Sequence, residues 1–117
     1  MQLNHLNLTV TDVREAESFL AKYFEMEDAG GNSNMALLRD GHGMMLTLTS
    51  MKVGRETEVK YPATFHIGFG QKSQEDVNSL YAQLVADGYE PPAPSNQHGS
   101  WGFYFKAPGG FVIEVLA

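Results

Sequence analysis

Apolar and polar residues alternate along Leu3-Asn4-His5-Leu6-Asn7-Leu8-Thr9-Val10, the period-two signature of a strand buried on one face. Leu6, Leu8 and Val10 fall on one side, and His5, Asn7 and Thr9 on the other. The alternation returns in Thr64-Phe65-His66-Ile67-Gly68-Phe69, where Phe65, Ile67 and Phe69 are the apolar set and His66 and Gly68 lie opposite. Laid over one another, the two segments carry a histidine at the same point, on the polar face.

A helical pattern follows each strand. Val77, Leu80, Tyr81, Leu84 and Val85 have the i, i+3, i+4, i+7, i+8 spacing of a helix lying on a sheet. Ser73 with Asp76 resembles a capping box, and Gly88 stands where a helix end takes a left-handed residue. In the first half Val13, Ala16, Phe19, Leu20, Tyr23 and Phe24 follow Asp12, and Gly30-Gly31 lies beyond the helix end. Each half then closes on a glycine-rich hairpin, Leu38 to Leu48 overlying Phe105 to Val115. Asn34 to Leu38 and Trp101 to Lys106 are the strands expected before the two turns. Pro91 to Gly99 reads as a loop, because prolines at that density suit neither a helix nor a central strand.

Each half therefore reads strand–helix–strand–strand–strand. The expectation is one α+β domain over residues 1–117, with module one at about 1–52, a linker at about 53–62 and module two at about 63–117. A length of 117 residues suits one domain, and 43% hydrophobic content suffices for a core. Without cysteine there is no disulfide framework, thiolate metal cluster or cysteine nucleophile.

Eight Lys and Arg against 14 Asp and Glu leave a net charge of −6, and no basic run exists to displace counterions from phosphate. Nucleic-acid and anionic-lipid partners are not expected. No apolar run approaches the roughly 20 residues of a membrane span, and Met1 to His5 lacks a secretory signal's basic-then-apolar order. A cytoplasmic location is the expectation.

Candidate chemistry centres on His5, His66 and Glu114. Glu114 alternates against Ile113 and Val115, which puts its carboxylate on the polar face with both imidazoles. A lone strand histidine or glutamate most often faces water. Two histidines at equivalent repeat positions, with a carboxylate inside an otherwise apolar run, are harder to assign to that role alone, and a face shared by two imidazoles and one carboxylate has the make-up of a facial triad with open positions. On the same face Asn7, Thr9, Met45, Thr47 and Thr49 are expected to line a pocket for a small organic ligand, with Trp101 or Tyr104 near one mouth. The phase of Trp101 to Phe105 is ambiguous, and core packing competes for these aromatics. His42 reads as a turn residue and His98 as a rim candidate.

With the doubled pattern, Leu6-Asn7-Leu8-Thr9-Val10, Phe65-His66-Ile67 and Ala107-Pro108-Gly109-Gly110-Phe111-Val112-Ile113-Glu114-Val115, essentially the whole chain resembles the vicinal oxygen chelate superfamily. That group includes glyoxalase I, fosfomycin-resistance transferases, bleomycin-resistance proteins and extradiol dioxygenases. The resemblance implies two βαβββ modules forming a curled mixed sheet around a cleft. It also implies a homodimer whose sites draw on both chains, and a divalent metal (Fe, Mn, Zn, Ni or Co) held by His5, His66 and Glu114. Overlaying the hairpins sets Thr47 against Glu114, where glyoxalase I enzymes carry a glutamate. A threonine hydroxyl is no base near neutrality, so a typical glyoxalase I is not expected and no catalytic residue is assigned. The expected function is a metal-dependent enzyme that chelates a small oxygen-bearing substrate. The rival is a non-catalytic sequestering protein of the bleomycin-resistance type, whose ligand Trp101 and Tyr104 would stack upon.

Overall fold

The computed structural model describes residues 1–117, which divide into two compact units. Residues 1–62 with 107–111 form the first, and residues 63–106 with 112–117 the second. No helix is long and apolar enough to cross a membrane.

The first unit begins with β1 (His5–Val10), whose Leu8 and Val10 are fully buried while His5 and Asn7 stay exposed. Helix α1 (Val13–Phe24) starts where the Asp12 carboxylate accepts from the Glu15 N–H at 3.0 Å. It buries Val13, Ala16, Phe19, Leu20, Tyr23 and Phe24, the stripe read from the sequence. The helix stops early, because Glu25 turns left-handed (φ 55°) and the chain enters β2 (Glu27–Asn32) directly. Gly30 and Gly31 sit inside this strand, beside an irregularity in its pairing. Strands β3 (Met35–Arg39) and β4 (Met45–Ser50) complete a mixed sheet ordered β1-β4-β3-β2, with β1 parallel to β4. The linker is tied to β1 where the Tyr61 hydroxyl donates to the Thr9 carbonyl at 2.6 Å. Burial pushes the Tyr61 phenol above its ordinary range.

The second unit repeats this order with β5 (Ile67–Gly70), α2 (Gln74–Ala86), β6 (Ser95–Gln97), β7 (Ser100–Ala107) and β8 (Phe111–Leu116). Its sheet runs β5-β8-β7-β6, with β5 parallel to β8. Ser73 caps α2 by accepting from the Asp76 N–H. At the far end Gly88 (φ 93°) donates to Val85 O and Tyr89 to Leu84 O, a Schellman motif that needs the left-handed glycine. Val77, Leu80 and Leu84 are buried as expected, but Val85 is 46% exposed. The stripe is therefore narrower than its sequence spacing implies. Pro91 to Gly99 is not wholly loop, since β6 forms just after Pro94 as an edge strand that the prolines do not interrupt. On β7 a Cβ at Gly102 would collide with the Val115 carbonyl, so only glycine lets β7 and β8 approach this closely.

The fold is thus α+β with two open four-stranded mixed sheets, each in a βαβββ module.

Candidate functional site

In the second unit His66 stands immediately before β5 and Glu114 in the middle of β8. Gly68 is the register partner of Glu114, and a Cβ there would stand 3.9 Å from Glu114 Oε2. His66 Nε2 lies 3.2 Å from Glu114 Oε2, with the glutamate side chain only 16% exposed. The other ring nitrogen, Nδ1, is 2.9 Å from the Thr64 carbonyl. A carbonyl only accepts, so Nδ1 carries the proton and Nε2 presents its lone pair in the neutral ring. Two lone-pair atoms then face each other, an arrangement that a shared proton or a cation relieves.

Tyr104 completes the cluster. Its ring meets His66 edge-on, with centroids 5.2 Å apart and planes at 90°. Hydrogen bonding toward the Glu114 carboxylate, then burial and the carboxylate charge, push its phenol above the ordinary range. The phenol therefore remains a donor at neutral pH.

In the first unit His5 repeats half of this pattern. Its Nδ1 is 2.7 Å from Asn4 Oδ1, which again leaves Nε2 outward, and the ring is exposed. His5 faces Met45 in the β1–β4 register, Asn7 faces Thr47 and Thr9 faces Thr49. The Thr49 hydroxyl, on a residue only 7% exposed, donates to Asn7 Oδ1 at 2.7 Å. Thr9 also lines an open concavity of about 200 Å³ with Glu56, Glu58, Val59, Lys60 and Tyr61. Nothing in the pattern of the linker marked these residues as a wall, because their exposure hides any periodicity.

The structure thus brings His66, Glu114 and Tyr104 together, with His5 in the other unit. No group of three or more histidine and carboxylate side chains is arranged to hold a metal within the chain. Trp101 and Tyr104 part company: the Trp101 indole donates to Asn78 Oδ1 of α2, and Phe103 packs on Tyr81 of the same helix. Trp101 and Phe103 of β7 face α2, Phe105 meets Tyr89 just past that helix, and Tyr104 meets His66. His42 is exposed in the β3–β4 turn, and His98 (φ 52°) in the β6–β7 turn.

The donor set suits a divalent metal. Neutral imidazole and carboxylate are the ligands that zinc, iron, manganese, nickel and cobalt share. A ligating histidine commonly gives its second N–H to a carbonyl, as His66 does to Thr64.

Among solved structures, one described as a possible glyoxalase from Bacillus cereus is 43% identical, with a TM-score of 0.90 over 100% of this chain and 99% of its own. A lactoylglutathione lyase from Agrobacterium tumefaciens (18% identity, TM-score 0.79, 98% of this chain and 92% of that one) shares the fold. So does a putative glyoxalase from Bacillus halodurans (17%, 0.80, 99% and 95%). No curated protein matches the chain. A family model spans residues 2–115, and with the doubled βαβββ architecture it shows that the chain belongs to the glyoxalase/bleomycin resistance protein/dioxygenase superfamily.

Proposed function

We propose that the protein is a divalent-metal-dependent enzyme acting on a small organic substrate with neighbouring oxygens, and that His5, His66 and Glu114 hold the metal. The observation that carries the reading is the His66–Glu114 pair: Nε2 and Oε2 lie 3.2 Å apart, and Nδ1 is already committed to Thr64. When bound, a divalent ion there supplies Lewis-acid polarisation of substrate oxygens.

The chain's own residues supply the rest. The Thr64 carbonyl, which only accepts, fixes the His66 tautomer, and the Asn4 amide holds the His5 ring through Nδ1. Asn7, Thr9, Met45, Thr47 and Thr49 share one face of the β1–β4 pair and offer the substrate a surface of amide, hydroxyl and thioether groups. Asn7 already accepts from Thr49, so its amide N–H groups point the donor capacity of this face at the ligand. Thr47 offers a hydroxyl but no base, so the reaction is not the proton shuffle of a glyoxalase I.

His66 and Glu114 come from one copy of the chain, and in this reading a second copy contributes His5, as in a homodimer with shared sites. The test is metal affinity. His66→Ala is expected to weaken binding of zinc or cobalt(II) at least tenfold, measured by competition with a chromophoric chelator. Unchanged affinity removes the ligand set. A wild-type chain that takes up no metal yet binds aromatic cations would be a sequestering protein.

A further inference from the structure

Arg39 closes β3, and its place in the sheet bears on what the substrate is. We propose that Arg39 binds a carboxylate of the substrate, which is then an organic acid with neighbouring oxygens at one end and the carboxylate at the other. The inference rests on the metal-binding reading above, with His5 as a ligand, and narrows its substrate class.

The strand registers carry it. Arg39 pairs with Met45 on β4, and Met45 pairs with His5 on β1. Partners across a ladder share a face, so the three side chains form one row. That row lies on the side of the sheet opposite the buried Leu8, Leu38, Leu46 and Leu48. Two strand spacings, about 9.5 Å, separate its ends. A cation, a half-buried thioether and an imidazole thus follow one another across the face. The next rows, Leu37–Thr47–Asn7 and Met35–Thr49–Thr9, carry no charge. Arg39 is therefore the one fixed cation that β1, β3 and β4 place there.

Its guanidinium is exposed and uncommitted. Glu27 is its register partner on β2, yet the two form no ion pair, and no hydrogen bond holds the arginine side chain. β3 lies inside the sheet, between β4 and β2, so the charge is not the guard that edge strands carry against stray pairing. A planar fork of donors matches a carboxylate at two points. The apolar body of such an acid would lie over Met45, between the fork and a metal at His5.

The test uses the full chain loaded with cobalt(II), whose visible bands report chelation. Two probes share the same pair of chelating oxygens: benzohydroxamate, and its 4-carboxy derivative with a carboxylate across the ring. The wild type is expected to bind the acid about tenfold more tightly than the neutral probe, the scale of a charged hydrogen bond. Arg39→Gln is expected to erase that margin. Arg39→Lys is expected to keep part of it, because the charge stays while the fork is lost. Equal affinity of the two probes for the wild type would overturn the inference, and so would a margin that persists in Arg39→Gln. In both cases cobalt binding leaves the metal reading standing. No cobalt uptake by the wild type would overturn both.

Discussion

Both candidate histidines have Nδ1 tied to an oxygen acceptor, one a backbone carbonyl and the other the Asn4 side chain, so at the residue scale the chemistry turns on what Nε2 meets. For His66 it meets Glu114. The strand registers put Thr47 opposite Asn7 and Glu114 opposite Gly68, equivalent points of the two repeats. Thr47→Glu is accordingly expected to tighten metal binding by offering a further carboxylate, read by the same chelator competition. An unaffected site would show that position 47 points elsewhere.

A separate prediction concerns Asp40, whose carboxylate accepts from the His42 and Met44 N–H groups at 2.8 Å each. Those two bonds hold its carboxyl below the usual range. Because the folded value is lower than the unfolded one, the stabilisation is present above about pH 4 and is lost as pH falls through the folded value. Asp40→Asn, which retains an acceptor without the charge, is expected to flatten the dependence of the melting midpoint on pH in that acid range.

At the scale of elements, what was legible followed burial. Leu8, Val10, Leu46 and Leu48 are buried on alternate positions and the α1 stripe is buried throughout, so β1, β4 and α1 declared themselves in the sequence. β2 did not: Glu27-Asp28-Ala29-Gly30-Gly31-Asn32 is an exposed edge strand with no apolar face to alternate. β6, another edge, was hidden behind prolines for the same reason. β7 carries aromatics on both faces, so periodicity alone could not separate Trp101 from Tyr104; the hydrogen bond to Asn78 does. The His66–Glu114 pairing was legible because the motif is written twice.

Two stability predictions belong at this scale. Asp12→Ala removes the α1 cap and is expected to cost about 1 kcal/mol, lowering the melting midpoint by roughly 3–6 °C. Gly102→Ala forces a Cβ onto the Val115 carbonyl, a rigid backbone atom, and is expected to cost roughly 1–3 kcal/mol. Equal midpoints for Gly102→Ala and wild type would mean that β7 and β8 can separate there without loss.

For the whole molecule, the doubled architecture explains both the family membership and the asymmetry of the site. One repeat carries histidine with carboxylate and phenol; the other carries histidine with threonine and leucine. If each site joins His5 of one copy to His66 and Glu114 of another, His5→Ala and Glu114→Ala chains each lose both sites as homodimers. A mixed dimer of the two restores one intact site. Unfolding and refolding the two variants together in equal amounts is expected to recover about a quarter of the wild-type metal content, since half of randomly paired dimers are mixed. No recovery would place all three ligands in one copy.

The most direct measurement is elemental analysis of the purified, untagged protein beside its mass in solution, for the wild type and for His5→Ala. The account predicts a dimer with near one transition metal per chain, lost in His5→Ala. A wild-type protein that carries no transition metal and takes up none when it is added would contradict the account.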